Sequence, residues 1–428
     1  MTEARLRRAR RALALSFLAQ GTAFALLVTR VPAVQQQYGI PDAHLPVHLA
    51  GVPLLAGLGS VATGALVTRV PARTVLRWAQ PVVLLALAGI GVGGRAWQLG
   101  VALGVFGLAA GALDASMNML GVSLQREYGR SIVLGLHAAY SLGGIAGAGL
   151  AWGGARLGLP LDRFYPPLVL PLLAVVLLAG HRYGDRRIGG TQPGTPLRTP
   201  SGTPSRTPPS TPSGAPPRAG GGRRPAGRAL LPLCLVAAFA YVGDATVSHW
   251  SATYLRDVLG GSEAFATLPY SAYMATTLLG RAVGDLVVRR YGAVAVVRGG
   301  ALLASGGFAA VAAAPGPWTG LAGFAVLGLG LSVIVPQTFA AAGRHATAAG
   351  HGPPAADAAV ARLNASTYAG LLVGAPLVGA LGEAWSPRWA MAVPLVLVLA
   401  ALPYAGSFAG RTDRYGGGHE RPRTVDVG

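Results

Sequence analysis

Long apolar stretches recur along the chain and constrain its fold more than any other feature of the sequence. Each is about as long as a helix that crosses a bilayer. Only 12% of the 428 residues are charged, about half the usual share in a soluble domain. The sequence therefore predicts an all-α membrane protein with twelve transmembrane helices, numbered here as spans 1 to 12. They lie near residues 11–31, 47–68, 74–94, 97–121, 131–155, 165–181, 229–252, 265–288, 293–313, 318–342, 358–381 and 388–409.

The basic residues are all arginine, which excludes several functions at once. Without lysine the chain has no Walker A motif and no lysine able to form a Schiff base. The arginines cluster at the ends of the spans and in one linker, so the net charge of +20 indicates membrane orientation and not nucleic-acid binding. The only cysteine, Cys234, excludes an intrachain disulfide. No H-E-x-x-H motif occurs, and no metal site, cofactor or enzymatic activity is predicted.

A segment rich in Pro, Thr, Ser, Gly and Arg divides the chain into two similar halves. Residues 183–228 cannot bury apolar surface and are predicted to form a disordered cytoplasmic linker. It separates a six-helix bundle at 1–182 from a second at 229–410, and residues 411–428 form a tail. A single offset of 221 residues aligns the halves, pairing for example Gly39 with Gly260 and Gly59 with Gly280. Parallel repeats of six spans are an established transporter plan, with the substrate site between them.

The distribution of arginine predicts the orientation of the chain. With the N-terminus inside, 20 arginines lie on the inner side and six on the outer side, leaving aside the nine in and beside the linker. Arginine is enriched in cytoplasmic segments, so both termini and the linker are predicted to be cytoplasmic. The first span has no cleavage site after it and is read as a span, not as a signal peptide.

Span 4 carries an aspartate and an asparagine in the otherwise apolar stretch "GALDASMN", residues 111–118. At about 100° per residue, Gly107, Gly111, Asp114, Asn118 and Gln125 share one helix face. Glycines let a neighbouring helix approach closely, and a carboxylate in the membrane costs about 2.5–3.5 kcal/mol to insert. We predict that Asp114 binds a coupling proton and that Asn118 contacts substrate. The alternative is a purely structural hydrogen bond to a neighbouring helix.

Other polar residues within the spans complete the predicted site. Asp244 and His137 are further candidates for proton coupling. The alternative for His137 is a packed polar residue without a role in coupling. The alternative for Asp244 is a residue of an outer gate that pairs with an arginine. The predicted substrate contacts beside Asn118 are Gln20, Tyr140, Ser141, Gln337, Asn364 and Tyr368. Amides and hydroxyls with one or two acids suit a polar, uncharged solute such as a sugar, and no buried pair of arginines favours a phosphate or a dicarboxylate.

Three charged residues near the inner end of span 8 are predicted to form a gate. Arg281 and Asp285 are spaced i, i+4, and Arg290 follows them. A cytoplasmic latch that breaks when the halves rock is the functional interpretation. A solvated helix end, contributing little, is the alternative.

Twelve spans, a central linker and basic loops after spans 2 and 8 resemble the major facilitator superfamily. Its inner-loop motif, roughly G-x-x-x-D-R-x-G-R, has degraded copies in "GALVTRVPAR" (64–73) and "GRAVGDLVVRRYG" (280–292). The stretches "RVPAVQQQYGI", "GALDASMN", "LHAAYSLGGIAG" and "HWSATYLRD" look like the fucose permease-like branch, in particular its bacterial YbjJ-like members. Fucose permease has Leu-Glu-x-x-x-Asn in span 4, with the Glu implicated in proton coupling, and Leu113, Asp114 and Asn118 match that pattern. His249 stands where YbjJ-like proteins usually have Asp.

The resemblance implies a secondary transporter of a small polar, sugar-like solute, coupled to protons. It implies a monomer in the lipid bilayer of the bacterial cytoplasmic membrane, with both termini cytoplasmic. Export of drugs or metabolites stays open, as does a membrane sensor or structural protein that has lost transport. The degraded loop motifs support the last alternative.

Overall fold

The computed structural model describes residues 3–40, 45–183, 226–262, 265, 268–348 and 353–409. The regular structure in these residues is helical. Most of the predicted linker and the whole of the predicted tail lie outside the described residues. Helices satisfy their backbone hydrogen bonds within one segment, which is what a water-free bilayer requires of a spanning chain.

The first half contains spans 1 to 6 and one short additional helix. The short helix, Val31–Tyr38, follows span 1 and is held by the Tyr38 hydroxyl, which donates to the carbonyl of Ile90 (2.7 Å). Burial raises the pKa of this phenol. The six spans are the helices Glu3–Thr29, Leu45–Leu66, Ala72–Val92, Ala96–Tyr128, Val133–Arg156 and Leu161–Gly180.

The second half contains spans 7 to 12, some of which are continuous with one another or broken. Span 7 is Ala226–Thr253 and runs into a π-helical turn, Tyr254–Val258. Spans 8 and 9 form one helical run, Leu268–Ala312, with a kink at Gly292, where φ is 79°. The remaining segments are Pro317–Leu331 and Ile334–Ala348 (span 10), Pro353–Ala384 (span 11), and Pro387–Ala390, Ala392–Leu399 and the 3₁₀ helix Leu402–Phe408 (span 12).

The helices agree with the predicted spans in number and order, and differ mainly at their ends. Ten helical runs are long and apolar enough to cross a membrane, and the run with the kink at Gly292 accounts for two spans. The twelfth, span 2, has a shorter apolar portion, Ala50–Leu66. Span 1 begins eight residues earlier than predicted, at Glu3, because arginines are good helix formers outside the apolar stretch.

The internal repeat is visible in how the helices pack. Gly107 of span 4 packs against Val52 of span 2, and at the same offset Gly328 of span 10 packs against Tyr273 of span 8. A side chain at Gly107 would lie 2.8 Å from the carbonyl oxygen of Val52. The two pairs are therefore equivalent close approaches, and they support the alignment of the halves.

The halves meet toward one end of the bundle, the end at which span 6 enters the linker and span 7 leaves it, called here the linker end. Span 2 packs against span 11, span 5 against span 8, and span 4 against spans 10 and 11. Near the linker end, Ser60 donates to the carbonyl of Ala361 (3.0 Å) and Arg126 donates to Thr347 (2.9 Å). These contacts close the interface between the halves at the linker end.

Replacing Gly111 with alanine is expected to lower the thermal unfolding midpoint of the purified protein. A Cβ at this position would overlap the carbonyl of Ala56 in span 2, and overpacking typically costs about 1–3 kcal/mol. Gly100→Ala, in the same helix, is the matched control because a Cβ at Gly100 meets no other atom within 4 Å. Equal midpoints for the two variants would refute this account of the contact between spans 2 and 4.

Candidate substrate and proton site

Asp114 lies where three spans meet in the middle of the bundle. Its Oδ1 accepts a hydrogen bond from Nε2 of Gln20 in span 1 (3.3 Å). Its Oδ2 accepts one from the hydroxyl of Tyr368 in span 11 (2.9 Å). The residues predicted to share one face of span 4 therefore have two roles. The glycines pack against span 2, while the acid reaches spans 1 and 11. Tyr368 belongs to the second half, so this carboxyl links the two halves.

One turn further along span 4, Asn118 connects the site to span 5. Its Nδ2 donates to the backbone carbonyl of Asp114 (2.9 Å), and its Oδ1 lies 3.2 Å from Nε2 of His137. The imidazole is buried between Phe17 and Phe339, with ring centroids 5.2 and 6.1 Å away. The sequence offers no partner for His137, and the structure supplies an amide as partner.

The acid of the second half, Asp244, has a tyrosine as its partner. The Tyr273 hydroxyl of span 8 donates to Oδ1 of Asp244 (2.5 Å). In the described residues Asp244 forms no ion pair with an arginine, in contrast to the gate considered as an alternative. Asp114 and Asp244 are thus each held by a tyrosine hydroxyl, Asp114 between the halves and Asp244 within the second half.

Several buried amides of the spans keep polar atoms without a hydrogen-bond partner. Asn364 is 1% exposed, and the amide lies beside Asp114 without making a hydrogen bond of normal geometry. Gln337 is equally buried and its Nε2 has no partner, as is true of Oε1 of Gln20. Unsatisfied buried polar groups are rare and costly in folded proteins, so these atoms mark where a polar ligand or water would bind.

Arg281 projects into the region between the halves and does not pair with Asp285. Its Nη1 donates to Oγ of Ser141 in span 5 (2.7 Å), and its Nε is buried without a partner. Tyr140, beside that serine, is half-buried. The i, i+4 spacing placed Arg281 in the predicted gate, whereas its contacts place it among the candidate substrate residues.

Asp285 makes the strongest contact between the halves near the linker end. Its Oδ1 accepts from Oγ of Ser131 (2.5 Å), and its Oδ2 accepts from the backbone N–H of Gly135 (2.8 Å). Gly135 belongs to the first turn of span 5, whose free N–H groups carry partial positive charge, and Ser131 lies two residues before this helix begins. Gln125 accepts from Ile132 N and Val133 N at the same helix end. Span 5 is therefore capped jointly by its own half and by the opposite half.

The arginines beyond Asp285 contribute unequally to this contact. Arg289, which the sequence analysis does not include in the gate, donates to the carbonyl of Ser131 (2.9 Å). Arg290, which it does include, lies over the ring of Tyr291 at 5.5 Å. The predicted trio is thus not assembled in one place: Asp285 lies at the closed interface, Arg281 in the interior and Arg290 on Tyr291.

Sequence reasoning missed the partners more often than the site residues themselves. Tyr273, Ser131 and Arg289 have no distinguishing motif. Tyr273 carries a weak signal, because the repeat offset relates it to Val52 on a face that packs closely in both halves. A tyrosine at a position where the other half has valine is a difference between the repeats, and it could have indicated a polar role for Tyr273.

Comparisons with known proteins agree with this architecture. The sequence model of the Major Facilitator Superfamily matches residues 233–422. An uncharacterized MFS-type transporter of Yersinia pestis is 28% identical over 90% of this chain and 92% of its own length.

Two solved structures have a similar fold. FucP, the fucose:proton symporter of E. coli, in its outward conformation, is 15% identical, with a TM-score of 0.68 over 94% of this chain and 98% of its own. The proton:xylose symporter XylE is 13% identical, with a TM-score of 0.70 over 95% and 96%. The chain therefore has the major facilitator fold, with twelve helices in two halves of six. It is a multi-span helical protein that is similar to membrane transporters.

Replacing Asp285 with asparagine is expected to open the linker end. The amide keeps one acceptor in place of two and loses the charge that faces the first turn of span 5, which weakens the contact by about 1.5–3 kcal/mol. Double electron–electron resonance between spin labels at the exposed positions 130 and 298, in a Cys234→Ser background, should report longer distances.

Ser131→Ala is the graded control for this prediction. It removes one of the two donors to Asp285 and leaves the bond from Gly135 N in place, so a smaller shift is expected. An unchanged distance distribution in Asp285→Asn would show that this contact does not hold the linker end closed.

Proposed function

We propose that the protein is a secondary active transporter that moves a small polar solute by alternating access, coupled to protons. Asp114 binds the coupling proton, and the amides and hydroxyls around it bind the solute. The observation that carries the proposal is the contact of Asp114 with Tyr368, because it makes one titratable group a partner of both halves.

Protonation of Asp114 changes what this contact can do. An ionised carboxylate only accepts hydrogen bonds, as it does from Gln20 and Tyr368. A protonated carboxyl carries a hydrogen on one oxygen and loses its charge, so the bond from Gln20 or the bond from Tyr368 is weakened or reversed. The balance between the arrangements of the two halves then depends on the proton, as coupling requires.

Asp285 supports the second part of the proposal, the alternation itself. The closed linker end rests on a few hydrogen bonds to the start of span 5. Rocking of the halves breaks this contact and opens the site on the linker side. Asp285 acts as the latch in this scheme, while Asp244 and His137 tune the site from either half.

The polar, largely uncharged residues around Asp114 suggest a hydroxylated solute. FucP and XylE are described as fucose and xylose symporters with protons, which agrees with a sugar-like solute. We place the chain near the fucose permease-like branch because of the pattern of Leu113, Asp114 and Asn118. We assign it as a monomer to the bacterial cytoplasmic membrane with both termini and the linker inside, in line with its arginine distribution.

Two other functions are weighed against this one. An exporter of drugs or metabolites would use the same acids but move its substrate out of the cell. Measurements of the direction of flux distinguish export from uptake. A transport-inactive sensor is the second alternative, favoured by the degraded loop motifs. The unpartnered buried amides of Asn364 and Gln337 count against it, since a protein without a ligand gains nothing from their cost.

Asp114→Asn is expected to abolish proton-driven accumulation in reconstituted vesicles. The amide cannot release a proton, so exchange of solute across the membrane should continue while uphill uptake is lost. The solute for this assay is the best stabiliser from a ligand screen of the purified protein.

Asp162→Asn is the matched control, because Asp162 is an exposed acid at the start of span 6. It should accumulate solute like the unmodified protein. Proton-driven accumulation that survives in Asp114→Asn would rule out the coupling role of this residue.

A further inference from the structure

Arg281 is the positively charged side chain inside the candidate site, and the described residues do not neutralise it. One of its nitrogens donates to Ser141, and its Nε is buried without a partner. Among the residues that the structure describes, no carboxylate forms an ion pair with it. The side chain remains partly exposed, so a ligand can reach it.

The nearby acids are held by other groups. Asp244 is bound by Tyr273, and Asp285 by Ser131 and the N–H of Gly135. Asp114 is bound by Gln20 and Tyr368. A guanidinium in the membrane interior is costly unless it meets an anion or sufficient hydrogen-bond acceptors, so Arg281 is short of a counterion in this conformation.

The surroundings of Arg281 suit a small anionic group. The guanidinium lies between the halves, with Nη1 2.7 Å from Oγ of Ser141 in span 5 and Nε without a partner. The hydroxyl of Tyr140, next to Ser141 in span 5, can donate to an anion held by the guanidinium, which presents two donors in the geometry of a carboxylate.

We propose that the transported solute is a monoanion whose single carboxylate binds Arg281 between spans 5 and 8. This proposal rests on the transport function proposed above and narrows its substrate class from small polar solutes to hydroxylated monocarboxylates such as sugar acids. The carboxylate binds at Arg281, and the hydroxyl groups bind the unpartnered amides of Asn364 and Gln337.

The charge of the site favours one carboxylate over a phosphate or a dicarboxylate. Arg281 supplies a single positive charge, which one carboxylate balances when Asp114 and Asp244 are protonated. A group of charge about −2, as on a phosphate monoester near neutral pH, would leave excess negative charge beside these two acids. A positively charged solute would place its charge against Arg281.

A thermal-shift screen of the purified full-length protein tests the proposal. The probes are glucuronate, gluconate and lactate as monocarboxylates, glucose and xylose as neutral sugars, glucosamine as a cation and glucose 6-phosphate as a phosphate monoester. We expect stabilisation by at least one monocarboxylate. In Arg281→Gln its affinity should fall about 10- to 100-fold, the usual effect of losing a charge-assisted hydrogen bond.

Two further variants separate a lost contact from a lost fold. Arg281→Lys keeps the charge and should bind the same monocarboxylate more weakly than the unmodified protein but better than Arg281→Gln. Arg298→Gln removes an exposed arginine from span 9 and should leave affinity unchanged. If Arg281→Gln does not fold, the comparison of Arg281→Lys with Arg298→Gln carries the test.

Three results would overturn the proposal: no monocarboxylate stabilises the protein, the phosphate or the neutral or cationic sugars stabilise it better, or the monocarboxylate binds Arg281→Gln with unchanged affinity. The outcome is distinguishable from failure of the transport function. Proton-driven uptake of a neutral sugar would preserve that function and refute the carboxylate. Binding of a monocarboxylate at Arg281 without flux would refute transport and preserve the site.

Discussion

The hydrogen bond between Asp114 and Tyr368 joins the two halves of the bundle within the membrane-spanning helices. The position of this bond depends on the packing of apolar helix surfaces against each other. Gly107 and Gly111 allow span 4 to pack tightly against span 2. In this position Asp114, on the same helix, reaches Tyr368 of span 11. A bulkier residue at either glycine would move the helix that carries the acid, so the site depends on close helix approach as much as on the acid itself.

The contacts near the linker end complement this central bond. Asp285 reaches across the interface to the start of span 5, a helix terminus that residues of both halves cap. A carboxylate at a helix N-terminus stabilises the contact. The contact is reversible, because water can replace its hydrogen bonds when the interface opens. In the proposed mechanism, the interior bond between Asp114 and Tyr368 responds to a proton, and the bond at the linker end responds to the position of the halves.

Much of this arrangement was predictable from the sequence, and the reasons are physical. Bilayer thickness fixes the length of a span, so the twelve helices follow from the apolar stretches, and Asp114 is conspicuous because acids are rare in lipid. Side-chain direction is harder to predict: Arg281 and Asp285 lie one turn apart, yet one reaches Ser141 inside the site and the other reaches Ser131 at the interface. Helical spacing reports which residues share a face of one helix, while the partners on another span depend on tilt and rotation that the sequence does not encode locally. Tyr273 and Arg289 were missed for that reason.

The central claim is that the proton on Asp114 sets the balance between the two arrangements of the halves. It can be tested without knowing the solute, by measuring the distance between labels at positions 130 and 298 across a pH series in the unmodified protein and in Asp114→Asn. The account predicts that the population with a closed linker end changes with pH in the unmodified protein and is independent of pH in the variant. A pH-dependent shift that persists in Asp114→Asn would contradict it, and would direct attention to the other titratable groups of the site, His137 and Asp244.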